Sequence, residues 1–103
     1  MRRDPWQALA DPTRRKIIEV LSTGDQTVNT IAQQFDISRP AISKQLKILE
    51  ESTLIEINST GRERICSLSL QPLEEIADWI KMYEGFWLSK LDKLDRHLKR
   101  KRK

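Results

Sequence analysis

The sequence predicts a mostly α-helical protein with five helices and one small β-hairpin. Over most of the chain, apolar residues recur at the three-to-four-residue spacing of amphipathic helices. Between Leu54 and Leu70 the pattern changes to the alternation of strands, and a long amphipathic stretch follows from Pro72. With 103 residues and 38% hydrophobic content, the chain has the size of one domain with a modest core. A dimer interface would add buried area, so we expect a dimer.

The first two helices are predicted from their N-terminal signals. A short helix fits Asp4 to Ala10, with Trp6 and Leu9 as its apolar points. The pair Asp11-Pro12 begins the next helix, because Asp accepts backbone N–H bonds at an N-cap and Pro suits the first helical position. This second helix ends at Ser22-Thr23-Gly24. Its predicted inward side chains are Ile17, Ile18, Val20 and Leu21.

Residues 27–50 predict a helix-turn-helix motif, since two helices are joined by a turn as short as Asp36-Ile37-Ser38. The third helix begins near Thr27, and Ser38 is the expected N-cap of a fourth helix that runs from Arg39 to about Ser52. The third helix is expected to bury Val28, Ile31, Ala32 and Phe35, and the fourth Ile42, Leu46 and Leu49.

The outward face of the fourth helix is basic and polar, and it carries no acid before Glu50. Without the basic run at residues 96–103, the chain keeps 13 of its 19 basic residues against 15 acidic ones, a net charge of −2. A basic helix face on such a body predicts DNA binding, because Arg and Gln can read base edges in the major groove. An ordinary solvated face is the alternative. The predicted base contacts are Arg39, Ser43, Lys44 and Gln45, and Pro40 belongs to the same DNA-binding face; Ser38 and Lys47 are predicted to hold phosphates.

Residues 54–70 predict a hairpin, with strands at Leu54–Ile57 and Arg64–Leu70 and a polar tip at Asn58–Gly61. Arg62 and Arg64 would bring guanidinium groups to phosphate or to the minor groove. The same charges could instead protect an edge strand from aggregation. A helix-turn-helix followed by a basic hairpin is the arrangement of a winged helix-turn-helix.

The last predicted helix runs from Pro72 to about Leu98. Apolar residues recur along it at seven-residue intervals, which predicts that it packs against another helix. Trp79, Tyr83 and Phe86 widen the stripe, either as packing or as the lining of a small-molecule pocket. Together with the first helix (residues 1–10), residues 72–98 are expected to dimerise the protein. The predicted interface residues are Trp6, Leu9, Leu73, Ile80, Trp87, Leu91 and Leu94.

Two long segments resemble the ArsR-type regulators: Ala8–Ile18 is similar to their opening signature and Ser38–Leu49 to their recognition helix. Gly61-Arg62 and the aromatic last helix also resemble the wing and the ending of a non-metal-sensing branch. The resemblance implies a winged helix-turn-helix homodimer, joined through its first and last helices, that represses genes by occluding a promoter. Two features depart from the family. Ser52-Thr53 stands where Ala-Gly is common, which predicts either a different helix end or strain there, and the wing lacks its usual aromatic near Ile65.

Metal sensing and catalysis are not expected. Cys66 and His97 are the only residues of their types, and they lie in different elements, so they cannot build an N/S metal site. Cys66 is expected to be a core residue, although an intersubunit disulfide stays open, and His97 a surface residue. There is no phosphate loop and no His placed to activate a nucleophile, so we expect no enzyme and no cofactor. No signal peptide or membrane span is recognisable, which predicts a cytoplasmic, nucleoid-associated protein.

The expected function is transcriptional regulation by residues 1–98, as a homodimeric repressor, often an autorepressor, that occludes a palindromic operator. Its expected partners are double-stranded DNA and a second copy of the chain, and no residue pattern names an inducer. One alternative is a winged-helix module that binds a protein. Another is non-specific DNA binding through the basic tail, residues 99–103.

Overall fold

The computed structural model describes residues 3–101, except for the side chains of residues 87 and 99–101. This part of the chain contains the five predicted helices and three strands. The elements are α1 (Pro5–Ala8), α2 (Pro12–Leu21), β1 (Gln26–Thr27), α3 (Val28–Ala32), α4 (Arg39–Glu51), β2 (Ile55–Thr60), β3 (Glu63–Leu68) and α5 (Leu70–Lys101). They form two compact units, one ending at Leu73 and the other beginning at Glu74.

Local capping chemistry sets the start of the four shorter helices. Asp4, Asp11, Thr27 and Ser38 each accept a hydrogen bond from a backbone N–H in the first turn of the helix that follows. Proline occupies the first or second position of α1, α2 and α4, where no N–H is needed. The predicted N-caps Asp11 and Ser38 are therefore confirmed.

The core of the first unit lies where α2, α3 and α4 pack against one another and the sheet. The predicted inward residues of α4 are all buried, whereas Ile18, Val20, Ala32 and Phe35 are only half-buried and so correct the prediction. Ile18, Val20 and Ala32 lie towards the edges of short helices, which bury a narrower stripe than the spacing suggests, and Phe35 lies beyond the end of α3 at Ala32. The fully covered side chains of the core are Ile17, Ile31, Ile42, Leu46, Leu49, Leu54, Ile55 and Cys66.

The three strands form an antiparallel sheet in the order β1-β3-β2. Strand β1 was not predicted; it pairs Gln26 with Cys66 and Thr27 with Ile65. The hairpin is longer than predicted, because the pairing of β2 with β3 continues to Thr60 and Glu63. The predicted tip at Asn58–Gly61 is therefore wrong, and the turn consists of residues 61 and 62. Gly61 has φ +62°, as the first position of a type II′ turn requires.

At the end of α4, a threonine stands where glycine is usual, as the sequence indicates. The N–H of Leu54 donates to the carbonyl of Leu49 (3.1 Å), and the N–H of Thr53 donates to that of Glu50 (3.0 Å). These two bonds make a Schellman motif, whose left-handed position is normally glycine. Thr53 holds that position with φ +63°, so a β-branched side chain carries the strain that the sequence predicts.

Helix α5 begins at Leu70, two residues before the predicted start, and continues to Lys101. Its 32 residues correspond to a rod of about 48 Å. Residues 99–101, predicted as part of a tail, are therefore helical. Within the described residues, no helix is long and apolar enough to cross a membrane.

Candidate nucleic-acid interface

The first half of α4 presents its basic residues to solvent, as predicted. Arg39, Pro40, Lys44 and Lys47 are exposed, while Ser43 is half-buried. Ser38 holds the helix start, because its Oγ accepts a hydrogen bond from the N–H of Ala41 (3.3 Å). This hydroxyl is therefore occupied as a cap, although as a donor it remains available to a phosphate oxygen.

A small cleft joins the start of α4 to the turn end of the hairpin. Its volume is about 80 Å³, and three of the predicted DNA-binding residues, Arg39, Arg62 and Arg64, line it together with Glu63. Three guanidinium groups against one carboxylate make this cleft electropositive. Residues 39 and 62–64 come from separate elements, so the fold brings the helix and the hairpin to one surface.

The cations of this surface have no partner within the part of the chain that the structure describes. Among the described residues, no ion pair or hydrogen bond engages the side chains of Arg39, Lys44, Lys47, Arg62 or Arg64. The arginines before α3 behave differently. Arg15 donates to the carbonyls of Leu9 (2.9 Å) and Ala10 (3.0 Å), and Arg3 pairs with Glu51 (3.4 Å). Five cations of α4 and the hairpin are thus unpaired among the described residues.

Gln45 is placed differently from the other predicted base contacts. It is half-buried, and its Oε1 accepts a hydrogen bond from Nη1 of Arg14 in α2 (2.8 Å). The oxygen needed for two-point reading of a base is therefore occupied within the protein. Its role at DNA stays a prediction.

The sequence did not point to the residues that form the inner wall of the cleft. Thr27, Val28 and Asn29 line it beside the three arginines. Asn29 is exposed and offers an amide that can donate to phosphate. The only signal was the position of Asn29 at the start of α3, which periodicity alone does not mark as functional.

A second candidate surface is the apolar side of α5. Among its predicted interface residues, Ile80, Leu91 and Leu94 are each more than half exposed, and Leu73 is half-buried. In α1, Trp6 is 45% exposed and Leu9 is half-buried. The side chain of Trp87 lies outside the described residues. Further exposed apolar residues of α5 are Leu70, Trp79, Met82, Tyr83, Phe86, Leu88 and Leu98.

Cys66 is a fully buried core residue on the central strand β3. Burial raises the pKa of its thiol, and the charge of Arg64 acts in the opposite direction. A buried thiol held in its neutral form is a poor nucleophile. His97 is exposed, as predicted. Within the described residues, no group of three or more His, Cys, Asp or Glu side chains is arranged to hold a metal ion.

Comparison with known proteins identifies this architecture. Residues 11–56 match the model of the bacterial regulatory protein, arsR family. The transcriptional repressor SdpR of Bacillus subtilis is 39% identical over 73% of this chain and 83% of that protein. The HTH-type transcriptional regulator Rv2034 of Mycobacterium tuberculosis is 43% identical, over 61% of this chain and 59% of its own length.

Solved structures agree with the sequence relatives. A crystal structure of a possible transcriptional regulator for arsenical resistance is 37% identical and covers 89% of this chain and 93% of its own, with a TM-score of 0.74. That of an ArsR family transcriptional regulator is 36% identical over 80% and 90% of the two chains, with a TM-score of 0.71. The chain belongs to the ArsR family of bacterial regulatory proteins, winged helix-turn-helix regulators of transcription that bind DNA and are not enzymes.

Proposed function

We propose that the protein is a homodimeric repressor that occludes a palindromic operator by placing α4 of each subunit in the major groove. The observation that carries this proposal is the cluster of five unpaired cations on α4 and the hairpin. Unpaired cations on one surface cost little in water, and each releases counterions when it meets a DNA phosphate. The relative SdpR is named a transcriptional repressor, which supports repression as the outcome of binding.

The positions of these cations suggest a division of labour. Arg39, Ser43 and Lys44 are in the N-terminal half of α4, which enters the groove most deeply in helix-turn-helix proteins. Lys47 lies one turn further along, where a side chain reaches the phosphate backbone. Arg62 and Arg64 on the hairpin would hold phosphates or enter the minor groove. Base contacts thus come from the start of α4, and affinity comes largely from Lys47 and the hairpin arginines.

Dimerisation is proposed to use α5, together with α1. The exposed residues Ile80, Leu91, Leu94 and Leu98 lie on one side of α5 by helical spacing, so a second helix could cover them along the whole length. A solved neighbour at 20% identity is described as a homodimeric winged helix-turn-helix domain; at that identity the likeness supports the fold. Two-fold symmetry would then place two copies of α4 about 10 base pairs apart.

On this proposal, residues 1–10 and 72–98 dimerise the protein, residues 27–50 read DNA and residues 54–70 form the wing. The basic segment 99–103 would add a weak, salt-sensitive attraction to phosphates. The protein would act in the cytoplasm at the nucleoid, as a repressor of a kind that often acts on its own promoter.

The test is selection of bound sequences from random duplex DNA at near-physiological salt. We expect enrichment of an inverted repeat whose half-sites are one helical turn apart. The double variant Arg39→Ala/Lys44→Ala should lose at least about tenfold in affinity for that repeat. A control pair, Lys81→Ala/Lys93→Ala, removes the same charge from exposed positions of α5 and should lose much less.

Three outcomes would contradict the proposal. Binding without enrichment that disappears when residues 99–103 are deleted would indicate a non-specific DNA-binding protein. Absence of DNA binding by the folded dimer would favour a protein-interaction module. Equal losses in the α4 pair and the control pair would show that charge alone, and not the face of α4, determines binding.

A further inference from the structure

Arg14 is the most fully engaged arginine of the described chain. Its Nε donates to the carbonyl of Ala8 (2.6 Å) and its Nη2 approaches that of Gln7 (3.5 Å). Its backbone N–H donates to the capping carboxylate of Asp11 (3.1 Å). The remaining nitrogen, Nη1, donates to Oε1 of Gln45 on α4 (2.8 Å). One half-buried guanidinium therefore ties α1 and the start of α2 to the helix proposed to read DNA.

The arginine fixes which end of the Gln45 amide is free. A guanidinium has five donors and no acceptor, so only the oxygen of a glutamine amide can face it. The assignment of oxygen and nitrogen in this amide thus follows from the chemistry of its partner. Nothing among the described residues accepts a hydrogen bond from Nε2 of Gln45. The side chain consequently presents two free N–H donors, while its oxygen, which keeps one lone pair, is already directed at a cationic donor.

An amide of this kind is poorly placed to read adenine in the usual way, because the oxygen that would accept from the base points at the guanidinium of Arg14. Two-point recognition of adenine needs one acceptor for its N6 amino group and one donor for its N7. Guanine presents acceptors alone in the major groove, at O6 and N7, which match a group that only donates. A free glutamine rotates to offer either pattern, but one held by Arg14 does not.

We propose that Arg14 is a positioning residue for DNA recognition, which holds the oxygen of Gln45 so that the amide meets DNA through its N–H donors and selects guanine over adenine at one position of each operator half-site. Arg14 touches no base in this arrangement; it acts through the amide of Gln45. The proposal rests on the proposed function, since it needs α4 in the major groove. It also separates Gln45 from Arg39 and Lys44, which have no partner that restrains them.

The experiment repeats the selection from random duplex DNA with variants of Gln45 and Arg14. In the wild type we expect one position per half-site to prefer guanine over adenine by about tenfold, the size of a good base contact. Gln45→Ala should remove that preference and leave the other positions unchanged. Gln45→Glu keeps an acceptor for Arg14 but has no donor, so the preference should move from guanine to cytosine, whose N4 amino group donates.

Arg14→Met is the variant that isolates the positioning role. It removes the hydrogen bonds, and the freed amide should then accept adenine at the same position, so that the guanine preference falls to near equality. A purely structural role for Arg14 would lower affinity at all positions without changing the base preferred at one. If Arg14→Met fails to fold, Gln45→Glu still tests the proposal through the expected change from guanine to cytosine, because its carboxylate retains the bond to Arg14.

The failures can be told apart. If Gln45→Ala and Gln45→Glu select the same base preferences as the wild type, this inference is overturned and the repressor proposal stays intact. Nε2 of Gln45 would then lie against a phosphate or in solvent. A wild-type preference for adenine at the Gln45 position would also overturn it. Absence of any enriched operator would overturn both proposals together.

Discussion

In the unit that ends at Leu73, the apolar side chains of the helices and sheet are largely buried, and the surface formed by α4 and the hairpin carries five cations that have no partner among the described residues. In α5 the reverse holds, since its exposed residues include a row of large apolar side chains between 40% and 73% exposed. Unpaired cations favour binding to a polyanion, whereas an exposed apolar row favours packing against another apolar surface. The two regions therefore require different partners, and each can be disrupted while the other is left intact.

The largest effect should follow from a charge placed on the apolar side of α5. Leu91→Glu buries a carboxylate in the proposed dimer interface, so the protein should sediment as a monomer in analytical ultracentrifugation. Operator affinity should fall by about a hundredfold or more, because the second half-site no longer binds as part of one molecule. Ser89→Glu adds the same charge on the opposite side of α5 and should leave a dimer. A dimeric Leu91→Glu protein would show that α5 is not the interface.

The hairpin arginines should give the next largest effect. The double variant Arg62→Ala/Arg64→Ala should weaken operator binding by about 2 kcal/mol, with little change in melting temperature because both side chains are exposed. The slope of log affinity against log salt, measured by fluorescence anisotropy, should become less steep by about two. Arg96→Ala, on exposed α5, is the control. An unchanged salt slope would mean that neither arginine contacts a phosphate.

The contrast between the two regions could be predicted from the sequence, because the basic face of α4 and the apolar row of α5 each follow from residues close together in the chain. Asp11 and Ser38 mark helix starts by bonding to N–H groups only a few residues away, and the basic face of α4 follows from helical spacing alone. The strain at Thr53 was predictable for the same reason, since the left-handed end of a helix needs no distant contact.

What escaped prediction depends on contacts between residues far apart in the chain. Strand β1 has two residues and exists only because Gln26 and Thr27 lie against β3. The hairpin continues past Asn58 because its backbone pairing needs no buried side chains. Gln45 was predicted to contact bases because nothing in the sequence shows that it meets Arg14, which lies 31 positions earlier and donates a hydrogen bond to its oxygen.

A smaller effect, confined to the first unit, should come from relieving the strain at the end of α4. Thr53→Gly should raise the free energy of unfolding by about 1 kcal/mol, because glycine adopts the positive φ without a Cβ clash. Urea unfolding at fixed protein concentration measures it, since a dimer's stability depends on concentration. Thr53→Ala keeps a Cβ and should gain less. Operator affinity should stay the same, and an equal gain in both variants would attribute the effect to the branched side chain instead of the backbone.

The smallest effect concerns Cys66 and appears only at alkaline pH. Burial raises the pKa of the folded thiol, so the unfolded chain loses its thiol proton first, at an ordinary pKa of roughly 8.5. The thiol's contribution to stability is present below that pKa and is lost as the pH rises through the raised folded value. The wild type should therefore lose more stability than Cys66→Ala between neutral pH and about one unit above the ordinary pKa. Equal pH dependence in the two proteins would mean that the thiol ionises as easily in the fold as in water, which would contradict its burial in the first unit.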